Sequence, residues 1–227
     1  MTDVSAARGV AGRHVLLAGG TSAAGRAVAV ALRDAGAQVT IAGRDPRKLD
    51  SLARDGFAVA EADLTDESAV FTAALRIGAV DGILHLVGGW RGGGGIPGQS
   101  DADWRALEAS FSAWRHVSRA WWDGLLASPA ARVAVVSSPA VARPLAGGAN
   151  YAAAKAALEA WTRALAHGFA KDARDRGAEQ TGAATIFRVK ALEGLEDRLA
   201  ESFVGLWDHP ATEVTDRVID LAVAEAG

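Results

Sequence analysis

A chain of 227 residues, half of them apolar and 22% charged, is long enough to bury one sizeable core and too apolar to stay disordered. Its formal net charge of −3 argues against a broad nucleic-acid or membrane footprint, and no apolar run is long enough to span a bilayer. Cysteine is absent, which excludes disulfides and thiolate chemistry. Residues 1–13 contain Asp3 and no apolar block, so they do not read as a signal peptide, and a cytoplasmic location is the expectation.

Short β-like runs alternate with longer helical ones, the pattern of a parallel sheet covered on both faces. Residues 14–18 read as an apolar strand entering a Gly-rich turn, and 25–35 as a helix closed by Gly36. A second strand at 38–42 precedes a helix at 46–53 with Pro46 in its first turn. A third strand covers 57–60, Asp66 caps a helix running to about Ile77, and 83–87 is a buried fourth strand. The loop 88–100, with glycine at 92 through 95, reads either as a flexible connector or as a ligand loop, since it leaves a strand end where parallel sheets place ligands.

Asp101 or Asp103 caps a helix to about Leu126, and 132–136 is the fifth strand. A Pro- and Gly-rich loop leads into a helix over 150–170. Residues 171–182 read as polar and exposed, 184–189 as a sixth strand and 212–225 as a final amphipathic helix. No repeat or linker divides the chain. The expectation is a single α/β domain, a doubly wound parallel sheet of six strands.

Chemistry concentrates at two places. The first turn reads Ala18-Gly19-Gly20-Thr21-Ser22-Ala23-Ala24-Gly25. A helix start offers unpaired N–H groups and a positive dipole end to a diphosphate, if the backbone can approach closely. Gly19 suits the tight turn and Gly25 close helix–strand packing, although such a turn also occurs without a ligand. The second strand ends Gly43-Arg44, where a carboxylate would take the ribose hydroxyls of NAD. A cation there suits a 2′-phosphate, so the expected cofactor is NADP rather than NAD, unless Arg44 is simply one of twenty arginines on a solvated turn. Asp63 and Leu64, after the third strand, suit an adenine edge or an ordinary helix cap.

The second place joins Ser138, Tyr151 and Lys155. The chain holds one tyrosine and four lysines, and Tyr151 lies four residues before Lys155, on the same helix face. A neighbouring ammonium is expected to lower the phenol pKa toward neutrality, and Ser138 could hold a carbonyl oxygen beside it.

Together these residues resemble the short-chain dehydrogenases/reductases over roughly residues 13–170. Residues 19–25 are similar to the family's T-G-x-x-x-G-x-G turn, Asp63 matches its adenine-contacting aspartate, and His85-Leu86-Val87-Gly88 falls where N-N-A-G is expected. Ser138 precedes Tyr151 by the family's usual spacing, and Lys155 completes Y-x-x-x-K. The run 82–94, with Val87-Gly88-Gly89-Trp90, resembles the dihydropteridine-reductase branch.

The resemblance implies a Rossmann-type sheet, a nicotinamide dinucleotide and hydride transfer between cofactor and a carbonyl or alcohol. It implies Tyr151 as proton donor or acceptor, Lys155 on the phenol and the nicotinamide ribose, and Ser138 on the substrate oxygen. It also places Gly19, Thr21, Ser22, Ala23, Ala24, Gly25, Arg44, Asp63, Leu64, Val87 and Gly88, with Tyr151 and Lys155, against the cofactor. Several positions depart from the family pattern. Ala18 stands for Thr, Ala23 for the middle glycine of the turn, Ser110 for the helical asparagine of the proton relay, and residues 189–192 for a Pro-Gly. The chain reaches Gly227 just after the last expected helix, where relatives add a seventh strand.

Trp114, Trp121, Trp122 and Trp161 fall on the helices 103–126 and 150–170, which pair subunits in relatives. They read as core packing or as the face of a homodimer or homotetramer. Phe203 and Trp207 fall in the relatives' substrate lid, to touch substrate or to pack the segment down. The five histidines show no ligand spacing, so no metal site is expected. Two functions fit: an NADP(H)-dependent oxidoreductase acting on a small carbonyl or imine, and a dinucleotide-binding protein without turnover, serving as sensor or assembly partner.

Overall fold

A strand that carries apolar side chains on both faces needs a helical layer on each side, and the central strands here do so. The computed structural model describes residues 9–222. Its strands are β1 (His14–Ala18), β2 (Gln38–Gly43), β3 (Ala58–Glu61), β4 (Gly82–His85), β5 (Arg132–Ser137), β6 (Ala183–Arg188) and β7 (Val218–Asp220). They form one parallel sheet in the order β3-β2-β1-β4-β5-β6-β7. Val15 and Leu17 of β1, Leu84 and Ala134 face one core with Val28, Leu32, Leu199, Phe203 and Trp207. Leu16, Ile83, Val133 and Val135 face the other with Trp114, Val117, Leu158 and Phe169. The strand order reverses between β1 and β4, which opens a crevice at their carboxyl ends.

The helices are α1 (Ala23–Asp34), α2 (Pro46–Arg54), α3 (Glu67–Ile77), α4 (Asp101–Ala120), α5 (Trp122–Ala127), α6 (Ala149–Arg176), α7 (Glu196–Val204) and α8 (Ala211–Val214). Asp66 caps α3 by accepting from Ser68 and Ala69, as its position suggests. The cap of α4 is Ser100 rather than Asp101 or Asp103, its hydroxyl accepting from Asp103 N–H at 3.1 Å. The single helix expected to run to about Leu126 is interrupted at Trp121.

Among the described residues the sheet has seven strands, which corrects the expected six. The expected helix 212–225 is instead the single turn α8 followed by β7, and its last three residues lie outside the described residues. Asp216 takes a left-handed conformation (φ 55°), which turns the chain out of the helix and onto β6. Its N–H donates to Ala184 O at 2.8 Å, its carboxylate receives Arg163 at 2.7 Å, and Ile186 N–H donates to Arg217 O. A three-residue edge strand has too few alternations to be told from a helical turn by pattern. β6 is therefore paired on both sides.

Helix α6 also exceeds expectation, running past residue 170 to Arg176 through residues read only as polar and exposed. The i,i+4 pairs Lys171–Asp175 and Asp172–Arg176 support its last turns, and Gly177 closes it in the left-handed region. At the opposite end of the sheet from the crevice, buried Arg132 has four backbone carbonyls for partners. It donates to Ala131 and Thr181 at 2.9 Å each, and to Leu206 and His209 at 2.9 and 2.8 Å, pinning the segment after α7 to the sheet. Burial, helped by Arg13, lowers its pKa to about 10, so it keeps its charge at neutral pH. Phe203 and Trp207 pack that segment down: both are buried, and Trp207 Nε1 donates to Ala130 O.

Candidate active site

The crevice over β1 and β4 is a cleft of about 780 Å3, within the usual range for small-molecule sites. Its floor is the turn from β1 into α1. Gly19 takes φ 80°, and a Cβ there would lie 2.6 Å from Val87 Cγ2, so only glycine lets the β1 and β4 ends come this close. Ser22 caps α1 by accepting from Gly25 N–H. A Cβ on Gly25 would sit 2.2 Å from Gly20 O, the close helix–turn packing expected of it.

Of the residues expected around a cofactor, Gly19, Thr21, Ser22, Arg44, Asp63, Leu64, Val87 and Gly88 line this cleft. Ala23, Ala24 and Gly25 do not: they lie in the first turn of α1 behind it, with Ala24 and Gly25 buried. Trp90 and Arg91, from the loop legible as a connector or a ligand loop, also line it, as does Lys48, which sequence reasoning missed. Lys48 stands in the first turn of α2, so it joins Arg44 at the β2 end. Asp63 Oδ1 accepts from Thr65 N–H and Oγ at 2.9 and 2.7 Å. These bonds, with Arg44 nearby, hold its carboxyl below the ordinary value, so it is ionised. The turn, the cationic pair at the β2 end and the ionised Asp63 fit a nicotinamide dinucleotide.

Beyond Gly88 a narrow cavity of about 10 Å3 brings Ser110, Tyr151 and Lys155 together with Leu107 and Leu158. Ser138, at the end of β5, caps the following short turn by accepting from Ala140 N–H. The structure thus assembles the four residues Ser110, Ser138, Tyr151 and Lys155 around one end of the cleft.

The electrostatics differ from expectation. Burial pushes the Tyr151 phenol up, and the Ser138 hydroxyl beside it opposes that shift without overcoming it. The lowering expected from Lys155 is not the dominant effect, because the ammonium donates to Val136 O at 2.8 Å and lies 5.8 Å from the Tyr151 ring centre. Burial lowers the Lys155 pKa to about 8, partly offset by Glu159 one turn on. Ser110 Oγ donates to Val87 O at 2.5 Å.

His85, in the slot where N-N-A-G is expected, is also part of this cluster. Its Nε2–H donates to Ser110 O at 3.0 Å and its ring lies on Trp114. Burial, with Lys155 adding to it, lowers its pKa to about 3. The imidazole is therefore neutral, with its proton on the nitrogen that faces a carbonyl. Among the described residues its Nδ1 is the one buried side-chain nitrogen or oxygen without a hydrogen-bond partner.

The sequence profile of the short chain dehydrogenases matches residues 13–173. The chain belongs to this family. Among curated proteins none matches the sequence significantly. Solved structures share the fold at low identity. A short chain dehydrogenase/reductase family protein is 24% identical, with a TM-score of 0.81 over 94% of this chain and 99% of that one. The L-sorbose reductase of Gluconobacter frateurii, complexed with NADPH and L-sorbose, is 18% identical, with a TM-score of 0.79 over 94% and 96%. An NADPH-bound short chain oxidoreductase of Pseudomonas aeruginosa PAO1 containing an atypical catalytic center is 17% identical, with a TM-score of 0.80 over 97% and 100%. Among the described residues of this family member, no helix is long and apolar enough to cross a membrane.

Proposed function

We propose that this short-chain dehydrogenase is an NADP(H)-dependent oxidoreductase that reduces a small carbonyl or imine, or oxidises the corresponding alcohol or amine. The observation that carries the reading is the convergence of Ser138, Tyr151 and Lys155 with Ser110 at the inner end of a dinucleotide-sized cleft. Relatives of the same fold are described as NADPH complexes, which supports the cofactor class.

In this reading the α1 turn (Gly19, Thr21, Ser22) takes the diphosphate, Arg44 and Lys48 a 2′-phosphate, Asp63 and Leu64 the adenine, and Val87 and Gly88 the nicotinamide half. The bound nicotinamide supplies or accepts the hydride. Tyr151 delivers the proton to the substrate oxygen and Ser138 orients that oxygen. Lys155, a cation below pH of about 8, holds the ribose beside the phenol. Ser110 faces the same cavity and belongs to the path by which the proton is replaced.

A second reading, a dinucleotide-binding protein without turnover, draws on specific contacts. Lys155 is engaged by Val136 O, Ser110 Oγ by Val87 O, and the Ser110 carbonyl by His85. NADPH oxidation against a panel of carbonyl compounds, with NADPH binding titrated alongside, separates the two. NADPH binding without NADPH oxidation in the presence of any panel member would favour the second reading; NADPH oxidation with reduction of one of them establishes the first.

A homodimer or homotetramer through α4 and α6 remains part of the proposal, on a reduced basis. Trp114 Nε1 donates to Thr162 and Trp161 Nε1 to Ser118, while Phe111 meets Trp161 edge to face and the Arg115 guanidinium lies over both rings. These aromatics bind α4 to α6 within the chain.

A further inference from the structure

The loop 88–100, legible either as a connector or as a ligand loop, is bridged at several points by one side chain. Gln99 donates through Nε2 to the carbonyls of Gly93 and Gly95 at 3.0 Å each and of Gly147 at 3.1 Å. Its Oε1 accepts from the backbone N–H of Asn150 at 3.1 Å. Three carbonyls on one side and an N–H on the other admit only this orientation of the amide. Both of its N–H groups and its oxygen are thus engaged.

The partners belong to two loops far apart in sequence. Gly93 N–H donates to Gly147 O at 2.7 Å, which joins the loops directly. A Cβ on Gly92 would stand 2.4 Å from that same Gly147 oxygen, so the glycine run allows a close contact rather than free movement. Gly89, Trp90 and Arg91, in the same loop, line the cleft.

The far end of the clamp is the start of α6. Its N-cap is Gly148, which supplies no side-chain acceptor, so the first-turn N–H of Asn150 would lack an intrahelical partner. Gln99 provides that acceptor from 51 residues away. Asn150 Nδ2 in turn donates to Ser100 O at 3.2 Å, and Ser100 caps α4. Residues 99 and 100 therefore tie the starts of both helices that carry the site: Ser110 on α4, Tyr151 and Lys155 on α6.

We infer that Gln99 is a positioning residue: it fixes the loops 88–100 and 142–148 as one preformed wall and sets the first turn of α6, so that Tyr151 meets its substrate without a loop having to close. This rests on the acid–base role proposed for Tyr151. The wall itself rests only on the contacts above.

Two variants take the clamp apart in steps. Gln99→Glu keeps an acceptor for Asn150 N–H and removes the donors to Gly93, Gly95 and Gly147, whereas Gln99→Met removes both sets without adding charge. Hydrogen exchange in the intact protein should be about tenfold faster or more at Gly93 in both variants, and at Asn150 only in Gln99→Met. NADPH affinity should stay within about threefold, because the phosphate and adenine ends of the cleft are built by other elements. With a carbonyl compound that turns over, KM should rise about tenfold in both variants and kcat should fall further in Gln99→Met.

Exchange within twofold of wild type at both amides in both variants would overturn the inference. So would faster exchange with KM and kcat unchanged. If no panel compound is turned over, the proposed function fails on that ground while the exchange data still decide the clamp. If Gln99→Met does not fold, Gln99→Glu alone decides it at Gly93.

Discussion

Lys155 and Glu159 lie one turn apart on α6, both largely withdrawn from water, and the protein surrounds them in opposite ways. Glu159 receives Arg188 through two bonds of 2.8 and 2.6 Å and Ser137 at 2.7 Å, with Arg163 at 3.8 Å. Burial alone would raise its pKa, but these partners outweigh burial and hold it below the ordinary value. Lys155 has one carbonyl, Val136 O, and its pKa falls to about 8. The carboxylate joins α6 to β5 and β6 as a completed ionic contact. The ammonium carries a desolvation penalty beside Tyr151 and the cleft, the kind of unrelieved charge that marks functional sites.

The largest effect expected from this contrast is at Lys155. With its pKa lowered from 10.5 to about 8, the unfolded chain binds more protons between those values, and stability should rise with pH across that window. Below pH of about 8 the penalty is fully present. Lys155→Met should therefore stabilise the protein at pH 7 by up to about 3 kcal/mol, and flatten the rise, while turnover and NADPH affinity both fall. Urea unfolding of the two proteins at pH 7 and pH 10 checks this; a less stable variant at pH 7 would break the comparison.

Glu159 should behave in the opposite sense. Glu159→Gln should destabilise by roughly 2–3 kcal/mol at pH 7, since Arg188 loses a buried charged partner. Because the carboxyl is held below its ordinary value of 4.5, that stabilisation exists above pH 4.5 and is lost as the pH falls through the folded value. The gap between wild type and variant, followed by urea unfolding from pH 7 downward, should close in acid. A gap independent of pH would mean that packing, not charge, is what Glu159 contributes.

Arg44 extends the contrast to a cation left in solvent. It is exposed, so Arg44→Ala should change stability by less than about 0.5 kcal/mol. It should weaken NADPH binding by roughly five- to a hundredfold and leave NADH nearly unaffected, narrowing the preference between them. Titration of both cofactors at fixed salt measures this. Equal wild-type affinities for NADPH and NADH would remove the assignment, and a full preference kept in Arg44→Ala would move it to Lys48.

The elements that could be read from sequence were those whose signal is local. The first six strands announce themselves as apolar runs between turns, and Tyr151 and Lys155 through their spacing on one helix. β7 is three residues long and depends on the left-handed turn at Asp216, which no periodicity reveals. The last turns of α6 were missed although Lys171–Asp175, Asp172–Arg176 and Gly177 were all visible in the chain. In the site, the pKa shift of Lys155 comes from its enclosure, partly offset by Glu159, and the direction at Tyr151 from burial, both tertiary effects. Gln99 gave no local signal, because its partners at Gly147 and Asn150 are about fifty residues away.

The central claim is that Tyr151 exchanges the proton, and one substitution addresses it most directly. Tyr151→Phe keeps the ring and its packing, so NADPH affinity should stay within about twofold of wild type. With a carbonyl substrate that the wild type reduces, kcat should fall by about two to four orders of magnitude. Near-normal kcat with unchanged NADPH binding would contradict the account and move the acid–base role to another group.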